Sequence, residues 1–134
     1  MRPATDETLI VATILYNVDP PASKEAFLKF VQNARANDPD IGRFESIRNA
    51  EELYEERPET CVLYRAASKD RSTRAVRGGQ YTVFETIGMH CVHPDKPNVG
   101  VQVELSRKAP PGTTDPGFEA AGLALLESVR FGPF

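Results

Sequence analysis

The chain is 134 residues long, 40% hydrophobic and 26% charged, the size and composition of one domain that buries its own core. Its formal net charge of -3 is the wrong sign for a protein that coats nucleic acid or an anionic membrane, so no nucleic-acid partner is expected. No apolar run approaches the ~20 residues of a membrane-spanning helix, and the opening Met1-Arg2-Pro3-Ala4 lacks a signal core, a start shared by secreted chains trimmed of their signal peptide.

After a polar stretch over residues 1–7, Leu9, Ile10, Val11, Ile14, Leu15 and Tyr16 form a nearly continuous apolar run across Thr8 to Asn17. That pattern predicts a strand in the middle of a sheet. Asp19-Pro20-Pro21 stops it, and a helix is expected from Ala22 to Ala36 with Phe27, Phe30, Val31 and Ala34 on one stripe. Asn37-Asp38-Pro39 ends the helix. Between Asp40 and Glu59 the signals are mixed: Phe44 and Ile47 fit a short strand, and Asn49 to Glu56 fits a short acidic helix with Glu51, Glu52, Glu55 and Glu56 on its exposed face.

Thr60 to Ala67 alternates as a strand, with Cys61, Leu63 and Arg65 on one face and Val62, Tyr64 and Ala66 on the other. Ser68 to Gly79 reads as a solvated loop holding Lys69, Arg71, Arg74 and Arg77. Gly78-Gly79 has no helix after it and is no phosphate cradle. Two longer strands follow, Gln80 to Val92 and Val99 to about Arg107, joined by a turn that contains Pro94, Pro97 and Asn98. In the first, Tyr81, Val83, Glu85, Ile87, Met89 and Cys91 share a face, opposite Thr82, Phe84, Thr86, Gly88, His90 and Val92. Glu85 is out of character on its face, which points to a bulge at Gly88. In the second, Val99, Val101, Val103 and Leu105 alternate strictly with polar residues or glycine. The chain closes with a helix expected to start from Asp115 as N-cap and Pro116, to carry Phe118, Ala121, Gly122, Leu125 and Val129 on one face, and to end near Ser128. Phe131 and Phe134 are expected to tuck beneath it. The order predicts a single α+β domain over residues 1–134. Its sheet is antiparallel or mixed, of about four strands, with two main helices packed on it and a meander at 60–67, 80–92 and 99–107.

Both histidines and one of the two cysteines fall together at His90, Cys91 and His93. If the strand of Cys61 lies beside that of Cys91, facing Cβ atoms approach to ~4.5–5.5 Å and a modest local adjustment permits a structural disulfide. The competing reading is a metal or redox centre, because Cys61, His90, Cys91 and His93 supply the ligand types of a Cys2His2 zinc or a thiolate-rich copper site. That reading needs the chain to turn at Cys91, since neighbours on a strand point to opposite faces. A catalytic Cys91 with His93 as base lacks a recognisable orienting group and oxyanion hole, there is no CxxC redox pair, and no catalytic motif or cofactor is expected. Glu85 and Glu104 suggest an acid/base couple across the hairpin, against the simpler reading of two solvated carboxylates.

At Cys61-Val62-Leu63-Tyr64, at Gly88-Met89-His90-Cys91-Val92-His93-Pro94 and at the closing Leu125-Leu126-Glu127-Ser128-Val129-Arg130-Phe131, the chain resembles a loose group of uncharacterised bacterial envelope proteins, mostly small lipoproteins. The shared pattern is a Cys with a Tyr three residues on and an acidic residue beyond, here Asp70. It continues with Gly-x-x-Cys-x-His-Pro, a strand ending near Ser106-Arg107, and a terminal helix before a final Phe. The resemblance implies secretion past the inner membrane, so a periplasmic protein or one held at the outer membrane facing the periplasm. Its lipid anchor would be a cysteine that this chain does not carry. It also implies that Cys61 and Cys91 are oxidised together, whereas reduced cysteines would instead indicate the cytoplasm. It implies no activity. The expectation is a non-enzymatic extracytoplasmic domain that binds an envelope protein or a small ligand, or braces the envelope.

Overall fold

The computed structural model describes residues 8–36, 44–57, 60–70, 82–110, 112 and 116–132. It holds one antiparallel sheet of β1 (Thr8–Asn17), β2 (Phe44–Leu53), β3 (Cys61–Asp70), β4 (Thr82–Val92) and β5 (Val99–Ala109). Helix α1 (Lys24–Ala36) joins β1 to β2, and α2 (Phe118–Ser128) follows β5. The strands lie in the order β1-β5-β4-β3-β2, so β2 to β5 form a meander and β1 lies against the far side of β5. The α+β class, the antiparallel pairing, the two helices and the meander accord with the sequence.

The fifth strand is β2. It takes up Asn49 to Leu53, where the sequence suggested the start of an acidic helix. The pairing with β3 continues through these residues, with Glu51 opposite Tyr64 and Glu52 opposite Leu63. Their carboxylates therefore project from opposite faces, where each finds an arginine: Arg35 for Glu51 and Arg65 for Glu52. Long-range pairing has overridden local helix propensity.

A second correction concerns β1, which is an edge strand and not a central one. A run apolar on both faces fits a strand covered on both, but position in the sheet is decided by which neighbours arrive, and most of this run stays exposed. A third concerns Gly88. The registers of β4 with β3 and with β5 run unbroken from end to end. Among the described residues the register shifts in β2, between Ser46 and Arg48, where Ile47 is the extra residue. Glu85 keeps its place on the apolar face because Arg107 and Arg48 neutralise it at 3.1 and 3.3 Å.

The helices lie on opposite faces. Phe27 and Val31 of α1 are fully buried against Val62 and Val92, with Val18 and Leu28 beside them. Phe118 and Leu126 of α2 pack on Cys61, Leu63, Ile87, Met89, Cys91, Val101, Val103 and Leu105, which form the main core. In α1, the Ser23 hydroxyl caps the helix by accepting the Ala26 N–H at 3.0 Å, while Phe30 at 42% exposure points away from the sheet. Helix α2 starts at Phe118 behind Gly117, with no side-chain cap, two residues later than the sequence implied. Ser68, Lys69 and Asp70, expected in a loop, extend β3; Asp115 lies outside the described residues, as do Phe134, residues 71–81, Asn37-Asp38-Pro39 and residues 1–7. Phe131 is half-buried against the main core, as expected.

Candidate functional site

Period-2 alternation in β4 sends the clustered residues to two sides of the sheet. Cys61 and Cys91 face each other directly across β3 and β4. The Val92 N–H donates to the Thr60 carbonyl at 2.9 Å, which makes the neighbouring Cys61/Cys91 pair one without its own backbone bonds, the position where facing Cα atoms come closest. Their Cα atoms are 4.1 Å apart and the sulfurs are bonded. Both lie in the main core beneath α2. The expected disulfide is formed.

His93 is on the α2 side as well, 4% exposed. Its Nε2 donates to the Gly132 carbonyl at 2.9 Å, its Nδ1 accepts the Asp95 N–H at 3.0 Å, and its ring meets Phe131 edge-on at 5.4 Å. These contacts make it a brace between the β4–β5 turn and the segment after α2. His90 points the other way, into the α1 face. The four residues of the metal reading are thus not brought together, because the chain does not turn at Cys91. Among the described residues no group of three or more His, Cys, Asp or Glu is placed to hold a metal ion.

The α1 face of the sheet carries a polar network to which every strand contributes. One cross-strand row runs Glu51, Tyr64, Gly88, Glu104 and Ala12, and the next runs Leu53, Val62, His90, Gln102 and Ile14. The Tyr64 ring lies across Gly88, where an added Cβ would overlap both the ring and Glu104. This close approach lets the Tyr64 hydroxyl donate to Glu104 Oε1 at 2.5 Å while accepting from Gln102 Nε2 at 2.8 Å. Gln102 Nε2 also reaches Glu104 Oε1 at 3.2 Å. Tyr16 makes the same manoeuvre from the edge: its ring covers Gly100, and its hydroxyl meets His90 Nδ1 at 2.8 Å. Above them, the Arg35 guanidinium of α1 stacks 4.1 Å from the Tyr64 ring centroid, a cation–π contact. It is held there by Glu51 at 2.7 Å and by Asn49.

Burial sets the protonation of this face. It pushes the Tyr16 phenol up to about 12. Tyr64 is also pushed well above its ordinary value, by burial first and the Glu104 charge second. His90 is pulled down to about 4, by burial first and the Arg35 charge second. At neutral pH the site therefore presents two protonated phenols and an uncharged imidazole. Tyr16 occupies His90 Nδ1, and Nε2 has no hydrogen-bond partner among the described residues. It acts as a donor if Tyr16 donates to Nδ1, and as an acceptor if Nδ1 donates to Tyr16.

Glu85 and Glu104 do not form a couple, since they lie on opposite faces, Glu85 with Arg107 and Glu104 with Tyr64. Tyr16, Arg35 and Gln102 were not singled out by sequence reading, and Tyr64 entered it only as a strand residue and as the Tyr three residues after Cys61. The signal for them was a conjunction: polar Gln102 and Glu104 alternating with core valines, and glycines at 88 and 100 on strands that otherwise favour large side chains. No family of known proteins matches the chain, and no curated protein matches it either.

Proposed function

We propose that the chain is a non-enzymatic, extracytoplasmic binding domain of the bacterial cell envelope, and that the network around His90 is its contact surface. The observation that carries this reading is the Cys61–Cys91 bond, a full cross-strand disulfide at the centre of the main core. Structural disulfides persist in oxidising compartments such as the periplasm and are reduced in the cytosol. The bond also takes both thiols out of nucleophilic and metal chemistry.

The α1 face supplies hydrogen bonding without an obvious acid or base. Tyr16 and His90 are shifted away from neutrality in the directions that keep them uncharged, and a general acid or base works best with a pKa near the working pH. A small polar ligand, or a polar side chain of an envelope protein, would bond the Nε2 of His90 beside Tyr16 and Gln102. Such a site recognises by matched hydrogen bonds in a partly dry setting, where an unmatched partner leaves a polar group unpaired.

The compartment is tested by alkylating thiols in intact native cells, followed by intact-mass analysis with and without reduction. The expected result is no alkylation before reduction and a gain of about two mass units on reduction. Two freely alkylated thiols would overturn the extracytoplasmic reading.

A further inference from the structure

The two edges of the sheet are built differently. β2 carries Arg48, Glu51 and Glu52 and the extra residue Ile47, the kind of devices that keep an edge from pairing with another strand. β1 has none. Its sequence from Thr8 to Asn17 holds no charge, proline or glycine, and it pairs with β5 without a register break. α1 packs on β2 and β3 and α2 on β4 and β5, and the β1 side chains stay exposed on both faces. Leu9 is 57% exposed, Ile10 44%, Val11 60%, Ile14 50% and Leu15 61%. A long, uncharged, apolar edge is a template for another strand.

The strand itself names the occupant. Leu9-Ile10-Val11-Ala12-Thr13-Ile14-Leu15 reads the same in both directions about Ala12, except that Val11 is answered by Thr13, a side chain of the same shape. The backbone phase agrees. The Val18 N–H donates to the Asn98 carbonyl at 2.9 Å, so Tyr16, Ile14, Ala12 and Ile10 turn their amides toward β5. Leu15, Thr13, Val11 and Leu9 turn theirs outward. We infer that β1 pairs antiparallel with β1 of a second copy of this chain, about a two-fold axis at Ala12 normal to the sheet, merging the two sheets into one.

In that register Leu9 meets Leu15 of the second copy, Ile10 meets its Ile14 and Val11 meets its Thr13. The contact is isologous, as closed dimers require. The outward amides of Leu9, Val11, Thr13 and Leu15 find partners, and like apolar side chains lie together on both faces. Side-by-side pairing covers the flanks of the five exposed side chains of each copy, and the backbone bonds along the seam carry the rest of the contact. A different protein strand would satisfy the amides but has no reason to match a palindrome.

Sedimentation equilibrium of the full chain, with circular dichroism as the control for folding, tests the proposal. A dimer is expected, and Ile14→Lys, which sets a charge within the paired strand, is expected to give a folded monomer. A monomeric wild-type chain, or a dimer that survives Ile14→Lys, would overturn the edge pairing. Ala12→Cys tests the register with a small change. At the axis Ala12 faces itself at a position without backbone bonds, where Cα atoms approach to ~4.5 Å. It is expected to form an intermolecular disulfide on oxidation, while Leu9→Cys, which faces a leucine, stays uncrosslinked. Crosslinking through Thr13→Cys and not Ala12→Cys would overturn the axis at Ala12.

Discussion

The same strands build two unlike faces. Toward α2, the central strands contribute Cys61, Leu63, Ile87, Met89, Cys91, Val101, Val103 and Leu105, a dry layer closed by a covalent bond. Toward α1, the alternate residues are Tyr64, Gly88, His90, Gln102 and Glu104, joined by side-chain hydrogen bonds and roofed by Arg35. Fully burying a large aliphatic side chain stabilises by about 1.5–3 kcal/mol, whereas a satisfied polar network contributes little net and costs much when one member is removed. The α2 face therefore carries the larger apolar core, Phe27, Val31, Val62 and Val92 form a smaller one under α1, and the polar network beside it holds groups in defined orientations and protonation states.

The sharpest way to break this contrast is to open the disulfide. Replacing both cysteines, Cys61→Ala with Cys91→Ala, should lower the unfolding free energy by roughly 3–4 kcal/mol, the chain-entropy value for a loop of this length. Denaturant titration measures it. If the faces are independent, the His90 imidazole of the surviving folded fraction should still titrate near 4 by NMR.

Next in size is the pH dependence carried by His90. Its folded pKa of about 4 lies below the ordinary 6.5, so unfolding takes up a proton between those values. Stability from this group is fully present above pH 6.5 and is lost as pH falls toward 4, by at most about 3 kcal/mol. Denaturant unfolding of wild type and His90→Gln across that range should show a steeper fall for wild type. Parallel curves would mean that the α1 face is wetter than its geometry implies.

The smallest effect separates an interior bond from a rim one. Tyr64→Phe removes the hydroxyl shared by Glu104 and Gln102 and should cost about 1–2 kcal/mol. Arg65→Ala on the α2 side breaks partly exposed pairs with Glu52 and Glu119 and should cost less than about 1 kcal/mol. The two melting curves, run side by side, give the comparison directly.

Much of the fold was legible because alternation survives in the sequence. Val99 to Leu105 shows which residues of β5 face the core, and the same period placed Cys61 with Leu63 and Cys91 with Met89. β2 was not legible. Asn49 to Glu56 is rich in helix formers, and only pairing with β3 makes a strand of its first half. Gly88 misled for a related reason. A glycine inside a strand signals either a bulge or a close approach, and the ring that approaches, Tyr64, belongs to another strand.

The sequence by itself determined the periods: which residues alternate, where β1 stops, where the β4–β5 turn falls, and that Cys61 and Cys91 share a face once their strands are neighbours. These are local properties of covalent geometry and hydrophobic pattern. Tertiary structure alone decided that β1 lies at the edge, that the helices cover opposite faces, and that Tyr16 reaches His90 across 74 residues of chain. Those outcomes depend on which strands pair, a competition among long-range contacts that no local window of sequence contains.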